Sequence, residues 1–160
     1  MTTSTQATDK IGQPALSGLR VLEMGQLIAG PFCGQLLADF GAEVIKIEQP
    51  GTGDPMREWG RKKHGQSLWW SVIARNKKSI EINAREPAGQ ELIKRLVAQS
   101  DILIENFRPG TMEKWGLGYD VLAAINPRLV MIRVSGYGQT GPYAQTVSYT
   151  HLTLPTTPYV

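Results

Sequence analysis

The chain has 160 residues, 41% hydrophobic and 19% charged, with a formal net charge of +3. That length holds one domain with a real core, and the composition is that of an ordinary soluble globular protein. Basic residues are scattered rather than run together, so a nucleic-acid-binding stripe is excluded, whereas a small polyanionic ligand and plain surface charge both fit.

Cys33 is the only cysteine. It rules out an internal disulfide, fits a reducing, cytoplasmic setting, and reads as a small apolar filler because nothing nearby supplies a base. No stretch approaches the roughly 18 apolar residues of a membrane span, so no membrane association is expected. Residues 1–15 are rich in Thr, Ser and Gln without an apolar core, and are expected to be a disordered lead rather than a secretory signal.

From Leu19 onward short apolar runs alternate with helical segments. Leu19–Met24 reads as a strand. A helix follows with Pro31 at its first position, where the missing N–H costs nothing; Phe32, Leu36, Leu37 and Phe40 share one face and Gly41 ends it. Glu43–Glu48 is the second strand, and the three elements fit the roughly thirty residues of a βαβ unit. A Gly- and Pro-rich loop spans Gln49–Gly65, long enough to be functional or mobile. Ser67–Ala74 reads as a short helix and Ser79–Ile82 as a brief strand. Glu86-Pro87 opens a helix with Leu92, Ile93, Leu96 and Val97 inward and Glu91, Lys94 and Arg95 outward. Asp101–Glu105 is a buried-type strand, Met112–Trp115 and Tyr119–Ile125 are helical turns, and Leu129–Val134 is the last strand. Apolar strands separated by helices predict an α/β fold, a mostly parallel sheet covered by helices.

Such sheets bind ligands where loops leave the carboxyl ends of the strands. Three segments lie at such ends: Gly25–Pro31, Gln49–Gly53 and Asn106–Gly110. Gly25–Pro31 enters a helix whose free N–H groups suit an anion, although a simple tight turn fits too and the GxGxxG spacing of dinucleotide folds is missing. Asn106-Phe107-Arg108 offers an amide, a flat ring and a cation, a set suited to a nucleotide; the other reading is Asn106 as an Asx-type cap and Phe107 as core. Gly136–Pro142 is a glycine-rich loop that permits either close ligand approach or looseness. His64 and His151 have no carboxylate or Cys at ligand spacing, so no metal is predicted. Trp59, Trp69, Trp70 and Trp115 could stack on a purine or fill the core.

Seven blocks in order resemble the opening of the family III coenzyme A transferases: Leu16–Leu22, Ala29–Pro31, Leu37–Glu48, Gly51–Pro55, Arg75–Ile80, Glu105–Gly110 and Gly136–Pro142. The resemblance covers 16–145. It implies a Rossmann-like large domain, here truncated and without a complete second domain, and an interlocked homodimer in the full-length protein. It implies that CoA lies along the loops after the strands. The backbone at Ile28 and Ala29, the side chains of Ile82 and Arg85, and the Asn106–Phe107 pair would line it, with Lys114 as a basic residue near the phosphates. Gln49 stands where some members carry Arg.

The family's chemistry uses acyl-CoA and a carboxylic acid as substrates and no prosthetic group. An Asp attacks the donor thioester, forms a mixed anhydride and then an aspartyl-CoA thioester, and hands CoA to the acceptor acid. That Asp follows a Gly well downstream of Gly136–Pro142. Asp39, Asp54, Asp101 and Asp120 all lie in earlier blocks, so no catalytic residue is assigned and the nucleophile is expected beyond Gln145. The 160-residue chain is therefore expected to be inactive. Part of its apolar surface, at Trp69, Trp70, Ile102–Ile104 and Leu129–Val134, is expected to lack cover.

From Val147 to Thr156 the sequence resembles one translated frame of a transposase-end adaptor used in sequencing libraries, so 146–160 is expected to be non-native; the alternative is a natural Thr-rich tail. Two rival functions stay open. One is an α-methylacyl-CoA racemase of the same superfamily, which moves a proton beside the thioester. The other is a non-catalytic nucleotide-binding module of Rossmann type for NAD or ATP, against which the missing GxGxxG counts.

Overall fold

The computed structural model describes residues 12–146. The expected lead and tail lie outside this range, except for Gly12–Ala15 and Thr146. Pro14 is ordered: its carbonyl accepts from the Ser17 N–H at 3.0 Å, and the Leu16 N–H donates to the Phe40 carbonyl at 2.9 Å.

In chain order the elements are β1 (Arg20–Glu23), α1 (Ala29–Asp39), β2 (Glu43–Glu48), a 3₁₀ turn (Pro55–Glu58), β3 (Lys62–Lys63) and β4 (Gln66–Ser67). Then come α2 (Leu68–Ile73), β5 (Lys77–Glu81), α3 (Pro87–Val97), β6 (Ile102–Glu105), α4 (Thr111–Lys114), α5 (Tyr119–Ile125) and β7 (Val130–Arg133). The main sheet runs β5-β2-β1-β6-β7 with every neighbouring pair parallel, which is the α/β architecture expected from the alternating pattern. The expected loop Gln49–Gly65 holds more structure than its composition indicates. Asp54 caps the 3₁₀ turn through the Met56 N–H at 2.8 Å, and β3 and β4 form an antiparallel hairpin. His64 and Gly65, both left-handed (φ 51° and 81°), make the two-residue turn that the right-handed twist of a hairpin favours.

Side chains alternate across β1, so Val21 and Leu22 enter different cores. Val21 packs with Ala38, Ala42, Val44 and Ile104. Leu22 packs with Ile93, Val97, Leu103, Met112, Leu117 and Leu122 on the opposite side. Burying each such Leu or Ile contributes roughly 1.5–3 kcal/mol.

Three expectations about the helices are corrected. α1 begins at Ala29 rather than Pro31, which the chemistry tolerates because Pro31 still lies among the donors that find no intrahelical partner. More consequentially, the stripe of Phe32, Leu36, Leu37 and Phe40 is split: Leu37 packs against the core, and the other three face outward. Phe32, Leu36 and Phe40 are 47%, 43% and 59% exposed, and the inward face is Gly30, Pro31, Gly34, Gln35 and Ala38. The cause is the Glu23 carboxylate, which lies so close under α1 that a Cβ on Gly34 would sit 1.9 Å from its Oε2. Only small residues let the helix approach. Leu92 of α3 is also exposed rather than inward.

The expected uncovered surface is corrected only in part, since Trp70, Ile102 and residues 131–134 are half-buried. Leu103, Ile104 and Leu129 are buried, because helices cover both faces there, and exposure concentrates at Trp69 and Val130. Val130 lies on the edge strand β7.

Candidate functional site

Four of the five parallel strands end on glutamate, at Glu23, Glu48, Glu81 and Glu105, and the fifth ends on Arg133. Glu23, Glu48 and Glu105 are buried, and each has cationic partners. Charges cost several kcal/mol to bury unless paired, so these contacts are obligatory.

The densest set centres on Lys46, whose side chain is buried. Its ammonium donates to Glu23 Oε1 at 3.0 Å and to the Gly25 carbonyl at 2.7 Å, and forms an ion pair with Asp54 Oδ2 at 2.8 Å. Lys77 completes the cluster, 2.6 Å from Glu23 Oε2 and 2.6 Å from the Pro31 carbonyl. Burial pushes the Glu23 carboxyl upward against the pull of both lysines, and burial likewise lowers the Lys77 ammonium. Burial, and then the charge of Glu23, raise the Cys33 thiol, which makes it a poor nucleophile, in keeping with its reading as filler.

Glu48 forms the second knot. Arg57 grips it with two nitrogens at 2.7 and 2.8 Å, the Asp54 N–H donates at 2.8 Å, and the Ser79 hydroxyl donates to its other oxygen. Burial works to raise this carboxyl, but these donors outweigh it and hold Glu48 at about 2. Arg57 also lies 3.9 Å over the ring of Trp70. Glu105 binds Arg133 at 2.7 Å and accepts the Phe107 N–H at 2.6 Å, which fixes the loop leaving β6.

Of these groups Glu48 lines a cleft of about 670 Å³ at the carboxyl ends of β2, β5 and β6. Its walls include Gln26, Gln49, Ile82, Arg85, Phe107 and Trp115. Phe107 and Trp115 meet edge to face, 5.0 Å between centroids. Arg85 is exposed, and Gln49 brings an uncharged amide. The site can therefore offer an aromatic wall, two amides and one exposed guanidinium, a donor set suited to a phosphate-bearing, ring-containing ligand.

Of the residues singled out from sequence, Ile82, Arg85 and Phe107 come together in this cleft. Asn106 stands behind it. Its Oδ1 accepts the Gln26 N–H at 2.7 Å and its Nδ2 donates to the Gln26 carbonyl at 3.0 Å, so its amide serves a neighbouring loop rather than acting as a local Asx cap. Ile28 and Ala29 are exposed at the start of α1, outside the lining, and Lys114 is exposed at the end of α4. Gln26, from the strand-end segment Gly25–Pro31, and Trp115, one of the four tryptophans weighed as stacking residues, also line the wall. Trp115 arrives because Gly110, left-handed at φ 85°, turns α4 back toward Phe107. Trp59 and Trp69 are exposed and line no part of the cleft, and His64 sits at the β3–β4 turn. His151 lies outside the described residues. Among those residues no three His, Cys, Asp or Glu gather as a metal-holding group, and no helix is long and apolar enough to cross a membrane.

The chain is 68% identical over 129 residues to the succinyl-CoA–D-citramalate CoA-transferase of Chloroflexus aurantiacus, covering 80% of this chain and 32% of that protein. It is 43% identical over 135 residues to the succinyl-CoA:glutarate CoA-transferase of Homo sapiens, covering 84% of this chain and 31% of that one. A crystal structure of a CAIB/BAIF family protein from Brucella suis superposes with a TM-score of 0.79 at 43% identity, over 84% of this chain and 37% of that chain. The chain thus spans about a third of the length of the relatives it matches. A profile of CoA-transferase family III matches residues 16–157, and together with the parallel sheet and its strand-end cleft this establishes that the chain belongs to CoA-transferase family III.

Proposed function

We propose that the full-length protein moves CoA from an acyl-CoA donor to a carboxylic acid through an aspartyl-CoA intermediate, and that residues 16–145 supply part of its CoA site. The observation that carries this is the cleft, which the exposed Arg85 lines together with the Phe107–Trp115 wall. A guanidinium pairs with phosphate and an aromatic wall stacks on a purine. Ile28 and Ala29 would offer backbone to the ligand, Ile82 an apolar contact, Asn106 the clamp on Gln26, and Lys114 a charge near the phosphates. Because both relatives described above carry succinyl-CoA in their names, succinyl-CoA is the proposed donor and a short dicarboxylic acid the proposed acceptor.

The nucleophilic Asp is proposed to lie beyond Gln145. Asp54 is committed to Lys46, Leu27 and Met56, so it is a poor candidate within the chain. Residues 146–160 are proposed to be adaptor-derived, and the 160-residue chain to be inactive in transfer. The full-length protein is proposed to be a cytoplasmic, interlocked homodimer. The outward row Phe32, Leu36 and Phe40 supports a further layer of polypeptide over α1.

Calorimetry with CoA and with NAD tests the site, and hydroxylamine trapping with succinyl-CoA tests the chemistry. CoA should bind more tightly than NAD, Arg85→Ala should weaken CoA binding, and no carboxylate of the 160-residue chain should be trapped. Tighter NAD binding would overturn the ligand assignment, and a trapped Asp or Glu would relocate the nucleophile.

A further inference from the structure

Leu27 lies between β1 and α1 with φ 61°, the left-handed region that a side chain disfavours. The segment around it is held from outside. Lys46 binds the Gly25 carbonyl at 2.7 Å, and Asn106 binds both backbone groups of Gln26. The Leu27 N–H donates to Asp54 Oδ1 at 3.1 Å. Three successive residues are thus shaped by side chains that arrive from β2, from the loop after β2 and from the loop after β6. The pinch is tight as well: a Cβ on Gly25 would sit 2.9 Å from the Gly30 Cα and 3.0 Å from Asn106 Oδ1.

Asp54 is the member of this harness that acts on the disfavoured residue. It is itself immobilised. Its Oδ2 pairs with Lys46 at 2.8 Å, its Oδ1 also accepts the Met56 N–H at 2.8 Å, and its own N–H is held by Glu48 at 2.8 Å. It is 2% exposed. Gln26, immediately before Leu27, lines the cleft. Ile28 and Ala29, immediately after it, open α1. A change of sign in the Leu27 φ would redirect the chain between these two sets.

We infer that Asp54 is a positioning residue: by holding Leu27 in its left-handed turn it sets the loop against which the ligand of the cleft lies. This rests on the reading of the cleft as a CoA site. Leu27 adopts a φ that a side chain disfavours, and a buried carboxylate, ion-paired to Lys46 and bonded to the Met56 N–H, is a rigid anchor for the one N–H that fixes the turn.

The test uses the 160-residue chain and four variants: Asp54→Ala, Asp54→Asn, Leu27→Gly and Leu27→Val. Without ligand, amide hydrogen exchange at Leu27 is followed by NMR. Protection should be lost in Asp54→Ala and kept in Asp54→Asn, which retains an oxygen for the N–H; protection that survives Asp54→Ala overturns the inference. With CoA, calorimetry should show Leu27→Val, whose branched Cβ tolerates the left-handed region poorly, weakening affinity by about tenfold, while Leu27→Gly stays within about threefold of the parent. Adding Leu27→Gly to Asp54→Ala should recover most of the affinity that Asp54→Ala loses, a rescue that a merely structural Asp54 would not permit. Equal affinity of the Val and Gly variants overturns the inference, and neither variant removes a buried charge. If the parent chain binds no CoA, the ligand reading fails and the exchange experiment alone decides the role of Asp54.

Discussion

Glu48→Gln isolates the stability contributed by one buried carboxylate. Glu48 closes β2, its side chain is 2% exposed, and Arg57, Ser79 and the Asp54 N–H converge on it. Its carboxyl lies at about 2 instead of 4.5. At 1.36 kcal/mol per pKa unit, that difference is worth about 3 kcal/mol. Arg57 is 40% exposed, so water competes for it when the pair breaks; the realised loss should be nearer ~2 kcal/mol, a fall in Tm of roughly 6 °C for a domain of this size. The sign is fixed by the depressed pKa. The stabilisation is complete above pH 4.5 and is lost as the pH falls from there toward 2. Circular-dichroism melts of both proteins between pH 7 and pH 3 should therefore show a gap that is widest at neutral pH and narrows below about 4.5. Glu43 is also held at about 2, first by the Lys78 ammonium and then by Arg20, but it is present in both proteins and cancels. A gap that stays constant down to pH 3 would show that the glutamine costs packing rather than charge, and the argument would fail.

Gly34→Ala should destabilise, although alanine normally favours a helix by about 1 kcal/mol. Its Cβ would meet a Glu23 oxygen at 1.9 Å, and Lys46 and Lys77 leave that carboxylate no room to retreat. A net loss of about 1–3 kcal/mol is expected in the denaturant midpoint, and an increase in stability would refute the close approach. The triple substitution Phe32→Gln, Leu36→Gln and Phe40→Gln should reduce concentration-dependent self-association in sedimentation and lower binding of an apolar dye, because these side chains face outward. It should leave Tm nearly unchanged, whereas a collapse of the melt would mean that the row is core after all.

Sheet and helices were largely legible because a buried parallel strand is a short apolar run whatever surrounds it. Glu43–Glu48 emerges with the predicted bounds, and Pro87 starts α3 where the Glu86-Pro87 pair places it. The rotation of α1 was not legible. Phe32, Leu36 and Phe40 do form a helical stripe, but periodicity reports that a stripe exists, not which body it faces. What decides is Glu23, whose carboxylate needs small neighbours. The same limit hid the ionic network. Lys46 interrupts an apolar strand and pairs in register with Glu23, and this was the available signal, but Asp54 and Lys77 join only through tertiary structure. In the cleft, Ile82 and Arg85 follow from the family resemblance alone, because no strand-end pattern in the sequence points to them, whereas Trp115 depends on the turn at Gly110.

The strand order carries a consequence for timing. β1 lies at the middle of the sheet, yet its two neighbours are made at very different moments of synthesis. β2 emerges soon after it, but the bond from the Arg20 N–H to Asp101 spans 81 positions. At roughly 5–20 residues per second, β1 waits about 4–16 s with one edge open. In that interval β5, β2 and β1 form a half-sheet whose bare side is the future seat of β6. The buried charges of Glu23 and Lys77 both belong to this first half, so their pairing can precede closure. The nascent chain is thus most vulnerable to mispairing between completion of β5 and arrival of Ile102–Glu105, and slower translation there would lengthen the exposure.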